Sequence, residues 1–339
     1  MVPRVLLVPI KGTFFILGDV MLEIICLLVG FSLLIVGSRI LTLGSVDIAR
    51  RFKISTLAIS LTIVSFATAI PELLINIKAM SEGYNTIVIY NLIGSNIINI
   101  LFILGIICLI KPIKLNDNTI KKEIPLTILA TILFVIIALD NLFSGTFNNV
   151  ITRSDALILI LFFFIYIYYM ITLIKDRKEI KVIELPKNTL MQSSFYIILG
   201  FSMIIVGSIF TVDMIHKISL FGINEKPLTL YLVAFSTAIP ELTTCLTALK
   251  ESKEDLIIGN ILGSNIFNIC IVLAIPVIIF GNFNINELSI VDMINFLLAA
   301  IILFIFAPIK NKIGKLEGVI MFSIFMIYYI YVLLEGVLL

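Results

Sequence analysis

Ala67-Thr-Ala-Ile-Pro-Glu-Leu73 returns further along the chain as Ser236-Thr-Ala-Ile-Pro-Glu-Leu242, offset by 169 positions. Two flanking stretches recur in the same order. Gly30-Phe-Ser-Leu-Leu-Ile-Val-Gly-Ser38 reappears as Gly200-Phe-Ser-Met-Ile-Ile-Val-Gly-Ser208, offset by 170. Asn91-Leu-Ile-Gly-Ser-Asn-Ile-Ile-Asn99 reappears as Asn260-Ile-Leu-Gly-Ser-Asn-Ile-Phe-Asn268, offset by 169. Three ordered matches at one spacing mark a duplicated unit.

The rest of the sequence says what that unit is made of. Of 339 residues, 60% are hydrophobic and 14% charged, and the mean hydropathy is +1.17. A soluble domain carries roughly 45–50% apolar and about 25% charged residues, so this composition belongs in lipid. A helix needs about 20 mostly apolar residues to cross the hydrocarbon core. Ten stretches qualify: 22–44, 55–80, 86–110, 124–142, 155–174, 192–213, 228–249, 255–280, 289–308 and 317–338. The expected fold is therefore an all-α polytopic membrane protein of ten transmembrane helices. Residues 1–20, interrupted by Pro3, Pro9, Lys11 and Gly12, are expected to form an N-terminal extension outside the fold.

Lysine and arginine set the sidedness. With the N-terminus outside, seventeen of them fall in inner loops and six on the outer side, with Arg39 near the inner end of the first span. Both termini are expected to be extracellular, in a plasma membrane. Each copy of the repeat then holds five spans, residues 21–174 and 192–339, joined by a charged cytoplasmic linker at 175–191. Five is odd, so the second copy enters the membrane from the opposite side. Inverted repeats of this kind place transporter sites at the midplane, between the halves.

The repeated motif has the chemistry of a cation site. Pro71 lacks an N–H and crowds the preceding turn, so the carbonyl of Ala67 loses its helical donor and that of Thr68 is displaced. Pro240 does the same to Ser236 and Thr237. Such carbonyls survive in a membrane only where a neighbour or an aqueous cavity satisfies them. Thr68 and Glu72 are four residues apart and share a helix face, as do Thr237 and Glu241. Ser95 with Asn99, and Ser264 with Asn268, are further pairs at that spacing, while Gly94 and Gly263 permit close helix approach. Asn96 and Asn265 read as packing residues. An acidic residue at the centre of a membrane helix costs about 2.5–3.5 kcal/mol, and no Lys or Arg lies deep enough to pair with either glutamate, since Lys78 and Lys250 sit near span ends. The two carboxylates await protons or cations. An all-oxygen donor set suits hard ions such as Ca2+ and Na+.

At these residues the sequence resembles the sodium/calcium exchangers of the calcium/cation antiporter superfamily. Their two alpha-repeats carry G-T-S-[LIV]-P-E followed by G-N-x-x-G-S-x-x-x-[ND]. The resemblance covers residues 22–338 and implies ten helices in two inverted halves with both ends outside. It further implies that Glu72 and Glu241 ligate Ca2+ together with the backbone carbonyls of Thr68 and Thr237. Sodium sites would use the same carboxylates with Ser95, Ser264 and Asn99, and with the carbonyls of Ser65 and Ala234 as outlying ligands. Ca2+ and several Na+ would bind alternately, and sliding of the first and sixth helices would switch access.

The chain departs from the family pattern at three places. Ala69 and Ala238 stand where serine is frequent, Asn268 where many members have aspartate, and Ala67 and Ser236 where glycine is usual. The first two departures leave the driving ion open between Na+ and H+. The expectations are Na+-coupled Ca2+ exchange by alternating access, with H+/Ca2+ antiport as the alternative and an intramembrane enzyme as a remote third. No Ser–His or Ser–Lys arrangement suggests catalysis. Transported ions aside, no cofactor, nucleic acid or protein partner is indicated. The lone His216 reads as an interfacial residue. Cys26, Cys108, Cys245 and Cys270, all within apolar runs, read as small hydrophobes.

Overall fold

The computed structural model describes residues 10–52, 63–140, 149–176, 185–220, 224–286 and 288–338. The chain is mostly helical. Its principal elements are α1 (Ile10–Arg51), α2 (Ser65–Thr68), α3 (Ile70–Ser81), α4 (Asn85–Ile110), α5 (Ile124–Ala138), α6 (Arg153–Asp176), α7 (Leu190–Ser219), α8 (Glu225–Lys250), α9 (Glu254–Phe280), α10 (Ile290–Lys310) and α11 (Lys315–Leu338). Among the described residues, eight helices are long and apolar enough to cross a membrane.

Three of the expected spans differ in detail. The stretch 55–80 lies partly outside the described residues, and its remainder is two helices that meet at Ala69 (φ −89°, ψ 0°). Pro71, in the first turn of α3, removes the donor that would have continued one helix into the next. The second copy accommodates Pro240 within the unbroken segment Ala234–Lys250. The stretch 124–142 is helical over Ile124–Ala138, and its end runs outside the described residues. The helix α1 begins at Ile10, upstream of the expected start of the first span.

The centre of the molecule is legible from burial. Fully 78% of the apolar stretch of α4 and 83% of that of α9 is enclosed, against 22% in α6. The outward faces of α6 and α7 are studded with exposed Leu161, Phe164, Phe195 and Ile198, as a lipid-facing surface requires. The helices α1 and α7 run antiparallel in direct backbone contact. Gly30 meets Gly207, Gly37 meets Gly200, and Gly44 meets Ser193. At these positions the absent side chains let the two backbones touch. Two short antiparallel clasps complete the frame. β1 (Ile113–Lys114) pairs with β4 (Lys312–Ile313), and β2 (Val150–Ile151) pairs with β3 (Phe283–Asn284). Each clasp joins a loop of the first half to a loop of the second.

His216, near the end of α7, stacks on Tyr84 at 4.0 Å between ring centres and contacts Glu225 at 2.8 Å. All four cysteines are free thiols, three of them buried.

Candidate cation site

Both copies of the motif arrive at the enclosed centre. Glu72 is 2% exposed and Glu241 1%. Thr68, Thr237, Ser95, Asn99, Ser264, Asn268, Ser65 and Ala234 are all buried with them. The structure therefore gathers every candidate residue into the interior.

Local structure explains how each is presented. In α2 the Thr68 hydroxyl donates back to the carbonyl of Ser65, and in α8 the Thr237 hydroxyl donates to that of Ala234, both at 3.2 Å. The threonines also reach across the two halves: the Thr237 side chain lies against the Glu72 carboxylate, and that of Thr68 against Glu241. Gly94 lets α4 approach α8 so closely that an added Cβ would lie 2.7 Å from that of Ala234. Gly263 does the same for α9, where an added Cβ would lie 3.2 Å from Ser65 Oγ. The two glycines thus let α4 and α9, which carry the serine and asparagine pairs, pack closely against the helices of the repeated motif.

A feature invisible in the sequence sharpens the geometry. The helix α4 passes into a π-helical segment at Ile98–Leu104, and α9 does so at Asn268–Val272. The residues Asn99 and Asn268 sit in or at the start of these wider turns. Such turns re-aim side chains and are frequent at functional sites.

The site's electrostatics follow from what is left unsatisfied. Glu72 Oε2, Glu241 Oε2, Ser95 Oγ, Ser264 Oγ, Asn99 Oδ1 and Asn268 Oδ1 are each buried without a hydrogen-bond partner. Unpartnered buried oxygens are costly in a native interior and call for an explanation. Among the described residues no basic side chain forms an ion pair with either glutamate. The enclosed Lys226 is instead held by Asp292 at 2.9 Å and Glu335 at 2.7 Å. No group of three or more His, Cys, Asp or Glu is found among the described residues, so a bound cation would draw most of its ligands from neutral oxygens. That is the donor set of a hard ion.

One residue at the centre of this region, Asn76, escaped the sequence reading. Asn76 donates to the carbonyl of Val272 at 3.4 Å and accepts from Asn91 at 2.8 Å. Asn91 also donates to the carbonyl of Glu72 at 3.4 Å. Asn99 donates to Asn265 at 3.0 Å and Asn265 to the carbonyl of Asn96 at 3.5 Å, tying α4 to α9. A cavity of about 560 Å3 leads from Thr68, Pro240 and Asn260 along Thr244 and Thr247 toward Glu251 and Lys253.

Comparison with known proteins fits this arrangement. The family model described as "Sodium/calcium exchanger protein" matches residues 22–172 and 193–334. The inner membrane protein YrbG of Escherichia coli (strain K12) is 30% identical over 264 residues, covering 75% of this chain and 78% of that protein. The sodium/calcium exchanger MaX1 of Methanosarcina acetivorans is 25% identical over 336 residues, covering 89% and 96%. A solved structure of the sodium-calcium exchanger NCX_Mj, soaked with 10 mM Na+ and 10 mM Sr2+, is 30% identical with a TM-score of 0.65, covering 91% of this chain and 97% of that one. The chain belongs to the sodium/calcium exchanger protein family of membrane antiporters.

Proposed function

We propose that the chain exchanges Na+ for Ca2+ across the membrane by alternating access. The supporting observation is the pair of buried glutamates, Glu72 and Glu241, each with an unpartnered carboxylate oxygen. In a low-dielectric interior two such charges need compensation. One Ca2+ or two Na+ supplies it, so the two ions compete for one pair of carboxylates. The carbonyls of Thr68 and Thr237 complete the Ca2+ position. Ser95, Asn99, Ser264 and Asn268, with the carbonyls of Ser65 and Ala234, surround the sodium positions.

The fold supports the mechanism in the same terms. Ten helices form two inverted five-helix halves, 21–174 and 192–339, joined by the linker at 175–191, with residues 1–20 as an extension. The antiparallel glycine contact of α1 with α7 holds the two helices together as the pair that slides past the core. By the lysine and arginine count both termini face outward, so the cavity from Thr68 to Lys253 opens toward the cytoplasm. It supplies the inner route to the ions.

The test is Ca2+ flux in vesicles holding the purified protein, first under an imposed Na+ gradient and then under a pH gradient. Flux driven by Na+ is the expected result. Flux indifferent to Na+ but driven by pH would assign H+/Ca2+ antiport, which the alanines at 69 and 238 and Asn268 would favour. Chemical turnover without net ion movement would point to an enzyme instead.

A further inference from the structure

Equivalent positions in the two halves are not equally equipped. On α4, Asn91, Ser95 and Asn99 follow one another at intervals of four residues and so lie along one face. Asn91 Oδ1, Ser95 Oγ and Asn99 Oδ1 are all buried and unpartnered. The matching stripe on α9 is Asn260, Ser264 and Asn268. There Ser264 Oγ and Asn268 Oδ1 are likewise unpartnered, but Asn260 Oδ1 accepts a hydrogen bond from Ser65 Oγ at 3.3 Å. The counterpart of Ser65 in the second half is Ala234, which has no hydroxyl to give.

The orientation of Asn91 follows from its other contacts. Its amide nitrogen is committed to α3, donating to Asn76 Oδ1 at 2.8 Å and to the carbonyl of Glu72 at 3.4 Å. The amide oxygen therefore turns away from α3. One turn along, Gly94 presses α4 against Ala234. The corresponding contact of Gly263 with Ser65 is the one that brings Asn260 onto the Ser65 hydroxyl. Asn91 stands in α4 where Asn260 stands in α9, three residues before the glycine of that contact.

We propose that Asn91 Oδ1 is a cation ligand at the sodium position beside the Ala234 carbonyl, while the Ser65–Asn260 hydrogen bond withholds the matching ligand at the position beside the Ser65 carbonyl. The two outlying sodium positions then bind unequally, and residues 65 and 234 set the difference. The Ser65 hydrogen bond takes one of the two lone pairs of Asn260 Oδ1 and holds that oxygen toward the hydroxyl, so it is the poorer ligand for a hard cation. This inference rests on the reading of the site as one for Na+/Ca2+ exchange.

The test leaves both asparagines in place and changes only what occupies them. Ser65→Ala frees Asn260 Oδ1, and Ala234→Ser offers a donor to Asn91 Oδ1. Half-saturating Na+ and half-saturating Ca2+ are measured for purified protein in vesicles. Ser65→Ala is expected to lower half-saturating Na+ and Ala234→Ser to raise it, each by about fivefold. Half-saturating Ca2+, measured with Na+ absent from the Ca2+ side, stays where it was in both, because the Ca2+ position uses neither asparagine. Ser65→Ala removes a single oxygen atom, so it decides the matter even if Ala234→Ser packs poorly beside Gly94. Unmoved Na+ dependence in Ser65→Ala, or Na+ and Ca2+ shifting together, overturns the proposal while Na+-driven flux in the wild type leaves the exchange reading standing. Wild-type flux indifferent to Na+ overturns both.

Discussion

Gly37 and Gly200 touch backbone to backbone: a methyl group on Gly200 would lie 2.6 Å from the Gly37 carbonyl oxygen, and one on Gly37 would lie 2.9 Å from that of Gly200. Both distances are well inside van der Waals contact. If α1 and α7 move as one pair against the core, their mutual contact must persist through the cycle. Gly200→Val should force the two helices apart and slow Ca2+ exchange by at least about tenfold, with overpacking costing about 1–3 kcal/mol of stability. Flux in vesicles beside a thermal unfolding curve checks this. Full exchange by a stably folded Gly200→Val protein would show that the close contact is dispensable.

Glu72 and Glu241 carry the negative charge of the site. Glu72→Gln or Glu241→Gln keeps the shape of each side chain but halves the negative charge at the site. A single carboxylate cannot balance a divalent ion in a buried setting, so Ca2+ affinity should fall by about a hundredfold or more, equivalent to at least ~2.7 kcal/mol. Stability should hold or rise, since an uncompensated buried carboxylate is itself unfavourable. Calorimetric titration with Ca2+, with melting temperature in its absence, measures both. Near-native Ca2+ binding by either variant would remove that glutamate from the site.

A different kind of glutamate-and-lysine chemistry holds the α8–α10–α11 corner. Asp292 is fully buried and accepts from Tyr90 and Tyr328, each at 2.9 Å, from Ser289 at 2.7 Å, and pairs with Lys226. Both carboxylate oxygens are hydrogen-bonded, which is the condition for a buried ion pair to be tolerated. Lys226→Met strands Asp292 as a charge without its cation and should destabilise the protein by about 3–5 kcal/mol. Intrinsic Ca2+ affinity of the surviving folded fraction should be unchanged. A melting temperature equal to wild type would mean the network contributes nothing net.

These expectations also mark what the sequence could and could not disclose. The long apolar helices and the burial of Glu72 and Glu241 were legible because lipid demands long apolar stretches and because duplication prints the important residues twice, but the single helix face expected of Thr68 and Glu72 is interrupted at Ala69. Asn76 was hidden for the converse reason: its counterpart is Cys245, so comparing the copies draws no attention to it. The turns at Ile98–Leu104 and Asn268–Val272 depend on how α4 and α9 are packed, and no local pattern announces them. The partners Lys226, Asp292 and Glu335 come from three helices, so their pairing exists only once the fold does. The break at Ala69 was half legible. Pro71 predicts a disturbed turn, yet Pro240 in the same motif leaves its helix unbroken, and the difference lies in the surroundings.

The same asymmetry gives a quantitative contrast between two glycines that the motif presents as equals. An added Cβ at Gly94 would lie 2.7 Å from the Cβ of Ala234 and 2.9 Å from Leu230 Cδ2. At Gly263 it would meet Ser65 Oγ at 3.2 Å and Tyr166 Oη at 3.3 Å. A Cβ cannot move without its backbone, whereas a hydroxyl can rotate away. Gly94→Ala should therefore cost about 1–3 kcal/mol through helix displacement, and Gly263→Ala less than about 1 kcal/mol. Because Ser65 must shift to admit the new methyl group, Gly263→Ala should still perturb Na+ dependence despite its mild effect on folding. Melting temperatures of the two variants, set beside their half-saturating Na+, separate these effects. Equal destabilisation by both would mean that α4 can yield at Gly94 as readily as the Ser65 side chain does at Gly263.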